Sequence, residues 1–149
     1  VANQFSERRF VLLLDRPKIQ TVHIDRSAWP PEVELILSAM DAAHDPSTTE
    51  HRKRPRMLYR VRGELRLFSD AADSPPWEIY TRDCDDRGLG FITPHRLPLG
   101  YGGALEIVNP RGHRATIDCT LFRCREAVPG WFEGALHFNR AQWPFHATK

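Results

Sequence analysis

Cysteine is scarce in this sequence, and so are long apolar runs. Cys84, Cys119 and Cys124 are odd in number and contain no CxxC pair, which argues against a disulfide framework and against a zinc knuckle. They fit a reducing compartment, so a cytoplasmic location is expected. The best apolar stretch, Phe10 to Leu14, is too short for a membrane span or for the core of a signal peptide, so no membrane insertion is expected. The first residue is Val, which fits a chain processed or excised from something longer. No internal repeat or low-complexity tract is present. Net charge is also low, +2 over 149 residues, but it is unevenly spread. Glu50 to Arg66 holds seven Lys/Arg against two Asp/Glu, a net +5 that leaves −3 on the remainder. A local positive segment on a mildly acidic body points to one particular anion rather than to general polyanion binding.

The length suits one main domain. Arg9 to Asp15 and Gln20 to Ile24 read as a small strand or hairpin. A helix is expected near residues 30–44: Ser27 can cap it, Pro30 and Pro31 fit its first turn, and Val33, Ile36, Leu37 and Met40 recur at helical spacing. Asp45 to Thr49 then breaks the pattern with turn residues. From Tyr59 the period changes to two. Tyr59, Val61, Leu65 and Leu67 share one strand face, and Arg60, Arg62, Glu64 and Arg66 share the other. Trp77–Thr81, Leu89–Ile92, Ala104–Val108, Arg114–Cys124 and Trp131–Phe138 follow as strands with no helix between them. In the fifth strand Phe122 and Cys124 fall on the wrong face relative to Ala115, Ile117, Cys119 and Leu121, which predicts a bulge or sharp bend. In the last, Gly134 sits between Phe132 and Leu136, where a small residue lets a neighbour approach closely.

Two stretches carry chemistry. Arg52-Lys53-Arg54-Pro55-Arg56 repels itself unless an anion or solvent answers it, and guanidinium forks engage phosphate or guanine O6 and N7. Pro55 pushes Arg54 towards an extended backbone. A solvated basic turn is the plain alternative. The second stretch is Asp83-Cys84-Asp85-Asp86-Arg87-Gly88-Leu89-Gly90, an acidic turn between two strands. It fails as an EF-hand because Arg87 and Pro94 stand where oxygen ligands are needed. Its carboxylates have no convergent nucleophile for acid/base catalysis. Read plainly, it is a tight turn that uses Gly88 for an unusual backbone angle.

Together the two stretches resemble the PilZ family, whose members carry RxxxR ahead of the first barrel strand and [D/N]xSxxG between the next two. Arg52 and Arg56 match the first motif. A shifted match of Arg56 with Arg60 also satisfies the spacing, but Arg60 belongs to the alternating strand. Asp83 and Gly88 match the ends of the second motif, Gly88-Leu89-Gly90-Phe91 continues it, and Asp85 stands at the serine position. The resemblance spans about Glu50 to Arg140. It implies an all-β fold, a six-stranded antiparallel barrel over residues 50–140. The first 49 residues would form an N-terminal extension carrying the helix, and 141–149 a tail.

The ligand so implied is the bacterial second messenger cyclic di-GMP, with no catalysis and no cofactor. Arg52 and Arg56 would take phosphates and guanine edges, with Arg54, Arg60 and Arg87 as additional candidates. Asp83 would accept from guanine or brace an arginine, and Gly88 would keep the turn tight. Asp85 only accepts hydrogen bonds, where a serine also donates. It would repel a phosphate, accept from guanine N–H groups, or pair with Arg52, Arg56 or Arg87. Two expectations compete: a receptor that signals through a protein partner, and a degenerate domain that no longer binds the nucleotide and acts as a protein-interaction module. A third, single-stranded nucleic acid held by Arg60, Arg62 and Arg66 with Trp77 or Tyr59 stacking, is the least favoured, and no specific nucleic acid is expected.

Overall fold

The computed structural model describes residues 29–43 and 56–146. The expected N-terminal strand or hairpin, the cap Ser27, the turn at Asp45–Thr49 and the basic residues Arg52 to Pro55 lie outside them. Helix α1 runs Pro31–Ala42, followed by β1 (Met57–Leu58), β2 (Arg62–Leu67), β3 (Trp77–Asp85), β4 (Gly88–Thr93), β5 (Gly102–Val108), β6 (Arg114–Val128) and β7 (Trp131–Phe138). One 3₁₀ turn, Trp143–Phe145, follows. No helix among the described residues is long and apolar enough to cross a membrane.

The strands pair antiparallel in the order β3-β2-β5-β6-β7-β4, and β4 returns to β3, so six strands close into a barrel as expected. The short β1 lies on the same edge of β3 as β2: Met57 pairs with Cys84, and Arg62 with Tyr80. The strand expected from Tyr59 onward therefore starts at Arg62, and Tyr59 to Val61 form a bend between it and β1. Thr81 holds the bend, because its buried hydroxyl donates to Tyr59 O and accepts from Val61 N at 2.9 Å.

Period-two alternation fills the interior. Tyr59, Val61, Leu65 and Leu67 are all buried, as are Ile79, Phe91, Leu105, Ile117, Leu136 and Phe138. The expected bulge in β6 falls at Phe122: Leu121 pairs with Leu136 and Arg123 with Ala135, leaving Phe122 unpaired and exposed while Cys124 returns to the core. Gly134 also behaves as expected, since a Cβ there would lie 2.3 Å from Cζ of Phe91.

Helix α1 covers an outer patch of this barrel. Val33, Ile36 and Leu37 are buried against Tyr80, Ile92 and Trp131, and Met40 packs alongside. Pro30 occupies the N-cap position and Pro31 the first turn, with no side-chain cap, so the helix starts later than Ser27 would have set it. The segment after β7 is a structural part of the barrel. Phe145 is 1% exposed and packs edge-on to Tyr59 at 5.7 Å and against Phe138 at 5.3 Å.

Candidate functional site

The acidic stretch forms the β3–β4 hairpin, and a bulge decides which way its side chains point. Thr81 pairs with Phe91 and Asp83 with Gly90, so Arg82 is an extra residue in β3. Without it, Asp83 would share the interior face with Ile79 and Thr81. With it, Cys84 takes the interior position at 0% exposure, and Asp83 is only partly buried at the surface.

Arg56 precedes β1 and meets this surface from the neighbouring edge. Its Nη1 donates to Asp83 Oδ1 at 3.0 Å, and its Nε lies 3.4 Å from Asp85 Oδ2. Both carboxylates and the guanidinium keep some solvent contact. Gly90 makes room for this pair, since a Cβ there would lie 2.9 Å from Asp83 Oδ1. The sequence motif did not single out Gly90 as a site residue.

Asp85 has two jobs. Its Oδ1 accepts from the backbone N–H groups of Arg87 at 2.8 Å and Gly88 at 3.0 Å, closing the two-residue turn, while its Oδ2 faces Arg56. A serine Oγ is able to accept from the same turn but brings no charge to Arg56. The structure brings Asp85 within 3.4 Å of Arg56, one of the pairings open to it in the sequence.

Gly88 is required for a different reason from the one the turn suggested. Its φ is not positive, and neither are those of Asp86 and Arg87. A Cβ at Gly88 would instead fall 2.2 Å from the Leu136 carbonyl oxygen on β7, so close strand approach excludes a side chain. The turn is also pinned from the C-terminal side. Arg87 O accepts from Phe138 N and Asp86 O from Gln142 N, each at 2.7 Å, and Asp86 Oδ2 lies 3.8 Å from His146 Nδ1.

The remaining expected residues divide. Arg52 and Arg54 are outside the described residues. Arg87 is exposed at the turn. Arg60 turns to helix α1, where its Nη2 donates to Asp41 Oδ2 at 2.6 Å. Arg82, which the sequence did not mark, joins the same carboxylate.

Tyr59 is buried inside the barrel with its hydroxyl donating to Val108 O, so it offers no surface for a base to stack on. Arg62 is engaged by Glu64 and Glu78, and Arg66 by Ser74 O. The Cys84 thiol is no nucleophile: burial pushes its pKa far up, and the flanking Asp83 and Asp85 push it further, against the pull of Arg56. A groove of about 660 Å³, lined in part by Arg62, Asp70, Trp77, Glu78 and His95, opens at the start of β3. That is roughly 25 Å along the strand from the Arg56 cluster.

Comparison with protein-family models gives no match, and comparison with the curated proteins gives none either.

Proposed function

We propose that this chain is a PilZ-type receptor domain that binds cyclic di-GMP without catalysing any reaction and passes the signal to a protein partner. The observation that carries the reading is the meeting of Arg56, the end of the basic run, with Asp83 and Asp85 at 3.0 and 3.4 Å on the rim of a closed barrel. A guanidinium beside carboxylates offers donors for a phosphate or for guanine O6 and N7, and acceptors for guanine N1–H and N2–H. Arg52 and Arg54 lie four and two residues earlier in the chain and would supply further cationic forks. Three free, buried thiols fit a reducing cytoplasm as the working compartment.

Calorimetric titration with cyclic di-GMP, paired with thermal melting, tests this. Ligand at a hundredfold excess over Kd adds about 2.7 kcal/mol, a rise of several degrees in Tm. Arg52→Ala and Arg56→Ala should each remove the rise. Absence of both binding heat and a Tm shift at millimolar ligand would end the reading.

A second reading has its own observation, the engagement of Arg56 by two carboxylates at once. In it the domain has given up the nucleotide and serves as a protein-interaction module. It predicts no nucleotide response from the native chain and a gain of binding in Asp85→Ser. Failure of that variant to gain binding would remove Asp85 as the explanation.

A further inference from the structure

Asp41 occupies an unfavourable place for a carboxylate. It lies in the last turn of α1, a turn with no basic residue, where the helix dipole presents its negative end. Two arginines hold it there. Arg60 Nη2 donates to Oδ2 at 2.6 Å, and Arg82 donates to Oδ1 through both Nε and Nη2 at 3.3 Å. The cluster therefore carries one carboxylate against two guanidiniums, a net positive charge. It is also incompletely satisfied, because the buried Nε of Arg60 has no hydrogen-bond partner.

The arginine side chains are 12% and 22% exposed, whereas that of Asp41 is 46% exposed. The cations are thus built into the barrel surface, and the anion is the part that solvent, or a competing anion, reaches most easily. Placement ties the cluster to Arg56. Arg82 directly precedes Asp83, the bulge turns it out beside that residue, and Arg60 follows Arg56 by four positions on the same edge of β3. Two guanidinium forks around one anion suit a phosphate better than a carboxylate, since phosphate offers more acceptor oxygens.

We infer that Arg60 and Arg82 form a phosphate subsite that Asp41 holds closed, so that a phosphodiester arriving beside Arg56 displaces Asp41 and frees the C-terminal end of α1. The inference rests on the cyclic di-GMP reading for its ligand, but the subsite is testable apart from it. Displacement would couple nucleotide binding to the helix without any contact between ligand and helix.

The experiment titrates native protein, Asp41→Asn and Asp41→Asn/Arg82→Ala with cyclic di-GMP and, separately, with inorganic pyrophosphate, following heat and Tm. Asp41→Asn keeps the shape and removes the competing charge. It should bind cyclic di-GMP about three- to tenfold more tightly, the scale of one partly exposed ion pair. The double variant should lose that gain. If the native protein binds and Asp41→Asn binds no more tightly, or if the gain survives loss of Arg82, the subsite is refuted while the receptor reading stands. If neither form binds cyclic di-GMP, the receptor reading falls and pyrophosphate decides the subsite. A Tm rise in Asp41→Asn that the double variant lacks would uphold it, and no rise would overturn it.

Discussion

Arg56 and Asp85 face each other across the β1–β3 edge, with Nε of the one 3.4 Å from Oδ2 of the other, while Oδ1 of the same carboxylate is taken by the turn. The two oxygens can be separated by substitution. Asp85→Asn or Asp85→Ser keeps an acceptor for the Arg87 and Gly88 N–H groups and removes the charge that competes for Arg56. On the proposed receptor reading, either should tighten cyclic di-GMP binding by about 5- to 30-fold, the equivalent of about 1–2 kcal/mol for a half-buried pair. Asp85→Ala leaves the buried Gly88 N–H without its acceptor and should destabilise the fold by about 1–3 kcal/mol. Calorimetry and urea unfolding on the three variants read the two effects separately.

Much of the barrel was legible because one face of each strand is buried, which imposes period two on the sequence. Tyr59 to Leu67 shows it, and the parity break at Phe122 announced the β6 bulge. The β3 bulge had the same kind of signal. Ile79 and Cys84 are both interior yet five residues apart, an odd spacing that a regular strand forbids. It was hidden because Arg82 to Asp85 offers only one apolar residue to count. The Asp41 contacts were not legible at all. They join residues 19 and 41 apart in sequence, and complementary charge alone does not choose among the many arginines available.

Gly88 tests whether the hairpin needs freedom of angle or freedom of space. Its φ is ordinary, so backbone strain predicts little effect from alanine, but the 2.2 Å approach to the Leu136 carbonyl predicts a clash with rigid backbone. Gly88→Ala should lose about 1–3 kcal/mol or more, by forcing β4 away from β7. Gly130, whose Cβ would meet nothing, is the control for space, although its φ of +83° carries a conformational penalty of its own. Urea midpoints for both variants make the comparison. A Gly88→Ala protein as stable as the native one would contradict the steric account.

Phe145 closes the end of the barrel at which the Asp85–Gly88 turn lies, packed on Tyr59 and Phe138. If the segment after β7 were a dispensable tail, shortening this side chain would be nearly silent. Its burial instead predicts a loss of about 3–5 kcal/mol for Phe145→Ala, the usual scale for removing a core aromatic. The turn should loosen as well, because Gln142 N and Phe138 N hold the Asp86 and Arg87 carbonyls. Hydrogen exchange at those two amides, alongside thermal melting, would register both effects. Unchanged melting would return the segment to the status of a tail.

Two buried thiols should weaken the fold at alkaline pH. Burial, with a smaller push from Asp118, raises Cys119 from an ordinary value of 9.0 to about 12, and Cys84 is raised further still. A group whose pKa is higher folded than unfolded holds its proton more tightly in the fold. Its contribution is complete below about pH 9, where both states are protonated, and is lost as pH rises towards the folded value, by up to about 1.4 kcal/mol per pH unit for each thiol. Tyr59, also raised by burial, adds to the loss above its ordinary value of 10.0. Urea midpoints should therefore stay level to about pH 8 and fall steeply by about pH 10.5. Cys119→Ala should flatten the fall by removing one thiol's share. A midpoint that did not change over that range would mean the thiols ionise as readily inside the barrel as outside it.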